Sequence, residues 1–307
     1  MNFGWGGAMT ADILLTGAQG QLGWELQRRA LAAGLTVDAS DRDDLDITDA
    51  ASVRARLAAV RPALVVNAAA YTAVDKAESD REAAFAVNRD GPANLARACA
   101  EHAIPLIHVS TDYVFDGSRP GAYTEDDPVA PLGVYGVSKF DGEEAVRTAC
   151  PRHVILRTAW VYGVHGHNFV KTMLRLGRER ETLRVVDDQH GCPTFAGDLA
   201  DAVLAIAARL RAGDVPADGW GTFHCTGSGH TTWCGFAREI FSQVAPRGDR
   251  VPEVQGIASS EYPTPARRPA NSVLDCSRLE RVYGIRLRDW RPALAEMLDA
   301  TLVQNGD

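Results

Sequence analysis

A chain of 307 residues, 46% apolar and 23% charged, is long enough for one large α/β unit with a smaller lobe. Its net charge of −8 and pI near 5.5 argue against a nucleic-acid or anionic-membrane surface, and no run approaches membrane-span length. Six scattered cysteines without a Cys-x-x-Cys pair fit free thiols in a reducing cytoplasm, and the glycine-rich start is not a signal peptide.

Met1–Thr10 reads as a frayed leader, with Met9 as an alternative start. Asp12–Thr16 then forms an apolar run suited to a buried parallel strand. It passes into Gly17-x-x-Gly20-x-x-Gly23 and a helical pattern with Leu22, Leu26 and Leu31 expected on one side. Glycines here admit a pyrophosphate to the backbone, and the helix N-terminus offers N–H groups and a positive dipole end. Gly17, Gly20, Gln21, Leu22 and Gly23 are therefore candidate cofactor contacts; a tight turn without ligand is the alternative. A second strand, Leu35–Ala39, ends near Asp41 and Arg42. Asp41 suits the ribose hydroxyls of NAD and Arg42 the extra phosphate of NADP, so the choice between NADPH and NADH stays open. Asp46 and Ile47 follow, with Ile47 expected at the adenine and Thr48 or Asp49 capping a short helix.

Ala63–Asn67 reads as a third strand, continued by Ala68, Ala69, Ala70, Tyr71 and Thr72, small enough at first for a ligand to lie against the backbone. Close helix–strand packing is the alternative. Arg81–Glu101 reads as one long helix and Pro105–Ser110 as a fourth strand. Strands alternating with helices predict a doubly wound parallel sheet of the Rossmann kind, with ligands beyond the strands' carboxyl ends.

The fourth strand opens into a loop beginning Thr111, Asp112, Tyr113, which ends at Tyr135-Gly136-Val137-Ser138-Lys139. Tyrosine and lysine four apart share a helical face. The ammonium is expected to lower the tyrosine's pKa and make it a usable proton donor near neutrality. A surface Tyr–Lys pair is the weaker alternative. His153–Thr158 is a fifth core strand, and a smaller α/β lobe is expected from about Asn168, with segments returning to the sheet. Leu183–Val186 and Gly221–Cys225 read as strands; helices are expected over Asp198–Leu210, after a Thr231 or Thr232 cap through Gln243, and from Asp275 to Tyr283. The division is a dinucleotide-binding part over 11–165 and a mainly substrate-binding part over 166–307. In the polar Pro263–Pro269 loop, Arg267 and Arg268 are candidates for a substrate diphosphate, with a solvated basic loop as the alternative.

The glycine turn, Asn67-Ala68-Ala69-Ala70, Ser110-Thr111-Asp112-Tyr113-Val114-Phe115 and Tyr135-x-x-x-Lys139 resemble the extended short-chain dehydrogenase/reductases. More closely, Tyr71–Glu78, Arg157–Tyr162, Asn168–Leu174 and Tyr262–Pro269 resemble the dTDP-4-dehydrorhamnose reductases, over nearly the whole chain. That resemblance implies hydride delivery from NADPH or NADH to the 4-keto carbon of dTDP-4-dehydro-L-rhamnose. Tyr135 is then the proton donor, Lys139 its tuner and a ribose ligand, and Thr111 a hydrogen-bond donor to the reacting oxygen. Asp112, Tyr113, Trp160, Asn168 and Lys171 fall at positions implied to meet the sugar or its nucleotide. Tyr113 stands where sugar-nucleotide dehydratases carry a glutamate, which disfavours dehydration. A non-catalytic NADP-binding regulatory subunit, or a reductase or epimerase of another nucleotide-linked deoxysugar, are the other readings. Some members of the family hold Mg²⁺ at a dimer interface through glutamates; here only Glu25 matches, while Gly197-Asp198 and Arg291 depart. No metal is therefore expected, and the chain is expected to be a monomer or weak homodimer.

Overall fold

A computed structural model describes residues 10–247 and 250–304; the expected leader Met1–Met9 lies outside the described residues. Along the chain run β1 (Ile13–Thr16), α1 (Gln21–Ala32), β2 (Val37–Ser40), α2 (Ala50–Val60), β3 (Leu64–Asn67), α3 (Val74–Ala77), α4 (Arg81–Phe85), α5 (Gly91–Glu101) and β4 (Leu106–Thr111). Then come α6 (Val134–Ala149), β5 (His153–Thr158), β6 (Val161–Tyr162), α7 (Phe169–Glu179), β7 (Thr182–Val186), β8 (His190–Gly191) and β9 (Thr194–Phe195). The chain continues through α8 (Ala196–Ala212), β10 (Gly221–His224), β11 (Thr231–Thr232), α9 (Trp233–Val244), β12 (Glu253–Ile257), α10 (Ser277–Tyr283) and α11 (Trp290–Gln304).

The main sheet is parallel throughout, in the order β10-β5-β4-β3-β1-β2. Its central strands β1, β3, β4 and β5 are buried on both faces, which is why β1 and β3 read as apolar runs rather than alternating ones. Ile13 and Leu15 pack with Leu22, Leu26, Val203 and Phe223 on one side, while Leu14 packs with Leu57, Leu95 and Ile155 on the other. The chain winds outward in both directions from β1 and β3, and the carboxyl ends of those strands open the crevice where such sheets take ligands. Later segments of the chain join this layer: β10 extends the sheet beside β5, and α8 and α10 cover its face. A second core lies around the parallel pair β7–β12 with α7, α9 and α11, built on Met173, Leu183, Phe236, Ile240, Trp290 and Leu294.

Four expectations need correction. Leu31 is 78% exposed, because nine residues at 100° per residue place it opposite Leu22; Ala30 takes the buried position. The second strand begins at Val37 and continues through Ser40, later than the sequence suggested. Arg81–Glu101 is not one helix, since α4 passes through a π-turn at Ala86–Asp90 before α5 begins at Gly91, with Pro92 in its first turn. That bulge turns the buried Asn88 inward, where it accepts from Tyr71 N (2.8 Å) and donates to Tyr71 O (3.1 Å) and Ser138 Oγ (3.0 Å). Finally, α8 starts two residues earlier than Asp198, with no side chain capping it.

Candidate active site

The carboxyl ends of β1, β3 and β4 converge on one cleft of about 760 Å³. Every residue expected to hold a dinucleotide lines it, from Gly17 through Thr72 to Tyr135 and Lys139, together with Thr111, Asp112, Tyr113 and Trp160. Gly17 adopts φ +74, and a side chain there would meet Ala69 N at 2.6 Å, so only glycine lets the turn lie this close to the end of β3. Gly20 caps α1 without a side-chain hydrogen bond, leaving the first N–H groups of the helix facing the cleft. Asp41 Oδ2 accepts from Gln19 N (3.0 Å), tying the end of β2 to the turn, and Arg42 lines the same end of the cleft. An uncapped helix start, an acid at ribose distance in sequence and a wall of alanines together fit a dinucleotide.

Asp46 serves Thr48, whose hydroxyl and backbone N–H (2.7 and 2.9 Å) hold its carboxyl below the usual range. Asp49, not Thr48, is the cap of α2, accepting from Ala51 N at 2.9 Å. Asn67 anchors the opposite wall: its Oδ1 accepts from Thr16 Oγ1 (2.7 Å) and Ala69 N (3.1 Å), and its Nδ2 donates to His108 Nδ1 (3.0 Å). Burial keeps His108 neutral, far below the ordinary imidazole pKa.

Tyr135 and Lys139 project from the first turns of α6, a helix start fixed by Glu78 accepting from Val134 N (2.8 Å). Lys139 is 2% exposed, and its Nζ donates to Val109 O at 2.7 Å. Burial brings its pKa down to about 8, against a smaller opposing pull from Glu143. The expected lowering of Tyr135 is absent: burial, opposed by the Thr111 hydroxyl, pushes its phenol up to about 12. Desolvation is the largest cause, and the neighbouring Asp112 charge adds to it. Thr111 Oγ1 donates to Asp112 Oδ1 (3.0 Å), while Asp112 Oδ2 is buried without a partner and burial raises that carboxyl to about 6. Tyr113 meets Tyr135 edge to face at 5.5 Å.

Four expected substrate residues lie outside the cleft lining. Asn168 caps α7 by accepting from Lys171 N (3.1 Å) and fastens it to α1 by donating to Gln21 Oε1 (3.1 Å). Lys171 stands in the first turn of that helix. Arg268 spends its fork on Asp75 (2.8 and 3.1 Å), beside Tyr113, so it does not present a free pair of donors to a diphosphate. Arg267 is exposed. The sequence reading also missed Gly166 and His167, which line the cleft from a segment held by His165 Nε2 against Gln19 O at 3.0 Å. No local pattern marks that contact, since it spans 146 positions. Trp160 itself sits at φ 46, a strained conformation for a bulky residue that costs on the order of 1–3 kcal/mol.

At the positions implied for a metal, Glu25 is buried between Arg28 (2.8 Å) and Arg29 (3.0 Å), and Asp198 pairs with Arg288 (2.8 Å). Among the described residues no group of three or more His, Cys, Asp or Glu side chains is placed to hold a metal, and no helix is long and apolar enough to cross a membrane. All six cysteines are free, five of them buried.

A family model described as the RmlD substrate binding domain matches residues 10–303. A Sinorhizobium fredii protein named dTDP-4-dehydrorhamnose reductase is 46% identical over 96% of this chain and 99% of its own. A Streptomyces antibioticus protein named as a probable dTDP-4,6-dihydroxy-2-methyloxan-3-one 4-ketoreductase is 45% identical over 92% of this chain and 93% of its own. The crystal structure of a Bacillus anthracis dTDP-4-dehydrorhamnose reductase in complex with NADP superposes with a TM-score of 0.88 at 35% identity, over 95% of this chain and 100% of that one.

Proposed function

The chain belongs to the dTDP-4-dehydrorhamnose reductase family, and from that premise we propose that it reduces the 4-keto group of dTDP-4-dehydro-L-rhamnose to dTDP-L-rhamnose. One observation carries the reading: the uncapped start of α1 and the group Thr111, Tyr135, Lys139 open into the same cleft. A bound nicotinamide supplies the hydride. Tyr135, protonated at neutral pH, gives its proton to the oxygen at C4 as charge develops there. Thr111 holds that oxygen, and Lys139 holds the nicotinamide ribose and steadies the phenol. Asp112, Tyr113 and Trp160 meet the sugar nucleotide. Residues 11–165 serve the cofactor and 166–307 mainly the substrate, with α8, β10 and α10 returning to the sheet.

The Streptomyces antibioticus ketoreductase favours a second reading within the same chemistry, another 4-keto deoxysugar. Comparing kcat/KM across dTDP-4-keto-6-deoxysugars separates the two. The rhamnose precursor is expected to lead the series; a different sugar preferred by tenfold or more, about 1.4 kcal/mol, overturns the assignment.

Cofactor choice turns on Arg42, beside Asp41 at the ribose end of the cleft. Arg42→Ala is expected to raise the KM for NADPH while sparing that for NADH. An equal change for both shows that Arg42 does not meet the phosphate.

Lys139 acts charged, and its pKa of about 8 lies below the ordinary lysine value. The charged form is present below that pH and lost above it, so kcat/KM for NADPH is expected to fall as pH rises through about 8. A profile flat to pH 10 contradicts this.

We also place the protein in a reducing cytoplasm, which its free and mostly buried thiols fit. Its proposed state is a monomer or a dimer indifferent to Mg²⁺, because Glu25 and Asp198 are already neutralised by arginines. Light scattering should give the same mass with and without chelator; dissociation on chelation contradicts it.

A further inference from the structure

Residues 163–168 carry the chain from β6 to α7, and on the way they run against the start of α1. Gly166 adopts φ +74, and a side chain there would come within 3.3 Å of Gln21 Cγ, so glycine lets the segment lie close to the helix. Gln21 takes Asn168 Nδ2 at its Oε1 (3.1 Å) and reaches Val161 O with its own Nε2 (3.4 Å). Between these points His165 Nε2 donates to Gln19 O (3.0 Å), inside the glycine turn itself. The same imidazole stacks on Trp24 of α1, with centroids 5.5 Å apart and planes 6° from parallel. Arg28, one helical turn on, sets its guanidinium 5.6 Å from that indole.

Gly166 and His167 line the cleft together with Gln19, Gly20 and Gln21, whereas His165 does not. The fastening therefore lies outside the cleft, and what the segment offers inside it is His167. That side chain is exposed, and among the described residues it has no hydrogen-bonding partner. It stands in the segment tied to the uncapped start of α1, the end of the cleft that fits the phosphates of a dinucleotide. An imidazole carries a ring N–H that a diphosphate oxygen can accept in either of its neutral tautomers or when protonated.

We propose that His165 is a positioning residue for the cofactor: by fastening residues 163–168 to the glycine turn, it holds His167 where its ring N–H meets the diphosphate of the bound dinucleotide. The hydrogen bond to Gln19 O fixes the segment, and the stack on Trp24 fixes the plane of the ring that makes it. This inference rests on the assignment of that end of the cleft to NADPH, and its test separates the two.

The affinity and dissociation rate of NADPH are measured on the full chain, without sugar, for the wild type, His165→Ala, His165→Gln, His167→Ala and the double alanine variant. Each single alanine variant is expected to raise the Kd about three- to tenfold, the range of one lost hydrogen bond, chiefly through faster dissociation. The melting temperature without cofactor and the KM for the sugar nucleotide should hold. His165→Gln, whose amide N–H can reach the same carbonyl, should recover most of the loss. In the His167→Ala background the loss of His165 should add little, because His165 acts through His167. Additive losses in the double variant, an unchanged NADPH affinity in either single variant, or a loss confined to the sugar nucleotide overturns the proposal alone. A wild-type chain that does not bind NADPH overturns both it and the assignment of the cleft. Should His165→Ala fail to fold, His165→Phe, which keeps a ring against Trp24 and loses the N–H, takes its place with the same outcomes decisive.

Discussion

Tyr135→Phe is expected to lower turnover by about 10²–10⁴-fold, roughly 3–5 kcal/mol of barrier, while leaving the fold and cofactor affinity almost unchanged. The substitution removes one oxygen from a ring that already packs against Tyr113, so little else is lost. The direction of the Tyr135 shift matters here. A phenol held at about 12 carries its proton throughout the neutral range and is a ready donor in the reducing direction. It becomes a good acid only as the oxygen beside it acquires negative charge, which places the effect in kcat rather than in KM. Thermal stability measured alongside turnover separates catalysis from structure. A folded variant that keeps more than about a tenth of wild-type turnover, a barrier change under roughly 1.4 kcal/mol, means the proton comes from elsewhere. Lys139→Ala should hurt both turnover and cofactor binding, since its ammonium has two tasks.

Glu143→Ala is expected to destabilise the protein by about 3–5 kcal/mol, because it strands a buried arginine. Glu143 lies one helical turn beyond Lys139 and is completely buried. Its carboxylate accepts from Arg157 (2.7 and 2.9 Å), Arg147 (2.7 Å) and Ser110 Oγ (2.5 Å). Burial alone would raise its pKa, but the Arg157 hydrogen bonds and the two guanidinium charges outweigh that and hold it low. A depressed carboxyl contributes stability above the unfolded pKa of about 4.3, and that contribution is lost as pH falls through the folded value. Replacing Glu143 and Arg157 together with leucine and methionine should cost less than Glu143→Ala alone, since no charge is then left without a partner. Urea denaturation of the two variants beside the wild-type protein checks this. A single variant shifted by less than about 1 kcal/mol contradicts the network's role.

Local signals carried the fold. Asp12 through Gly23 reads as strand, glycine turn and helix because each step depends on neighbouring residues, and β1 and α1 lie there. Tyr135 and Lys139 were legible together because four positions make one helical turn. What the sequence hid depends on distant partners. Leu31 broke the helical phase, and an apolar residue on the wet side carries no mark of it. The π-turn over Ala86–Asp90 sets Asn88 against Ser138, 50 positions away, which no local pattern marks. The upward shift of Tyr135 comes from burial, which motif spacing does not report. Arg268 pairs with Asp75, 193 positions earlier, and no local pattern marks that pairing.

The central claim is that this cleft passes hydride and proton to a 4-keto sugar, and a single turnover tests it most directly. Protein in excess over NADPH is mixed with dTDP-4-dehydro-L-rhamnose, the nicotinamide absorbance is followed, and the sugar product is identified. Stoichiometric oxidation with dTDP-L-rhamnose formed one for one, and its near loss in Tyr135→Phe, is the predicted result. Tight NADPH binding with no oxidation in the wild-type protein would mean that the chain holds the cofactor without using it.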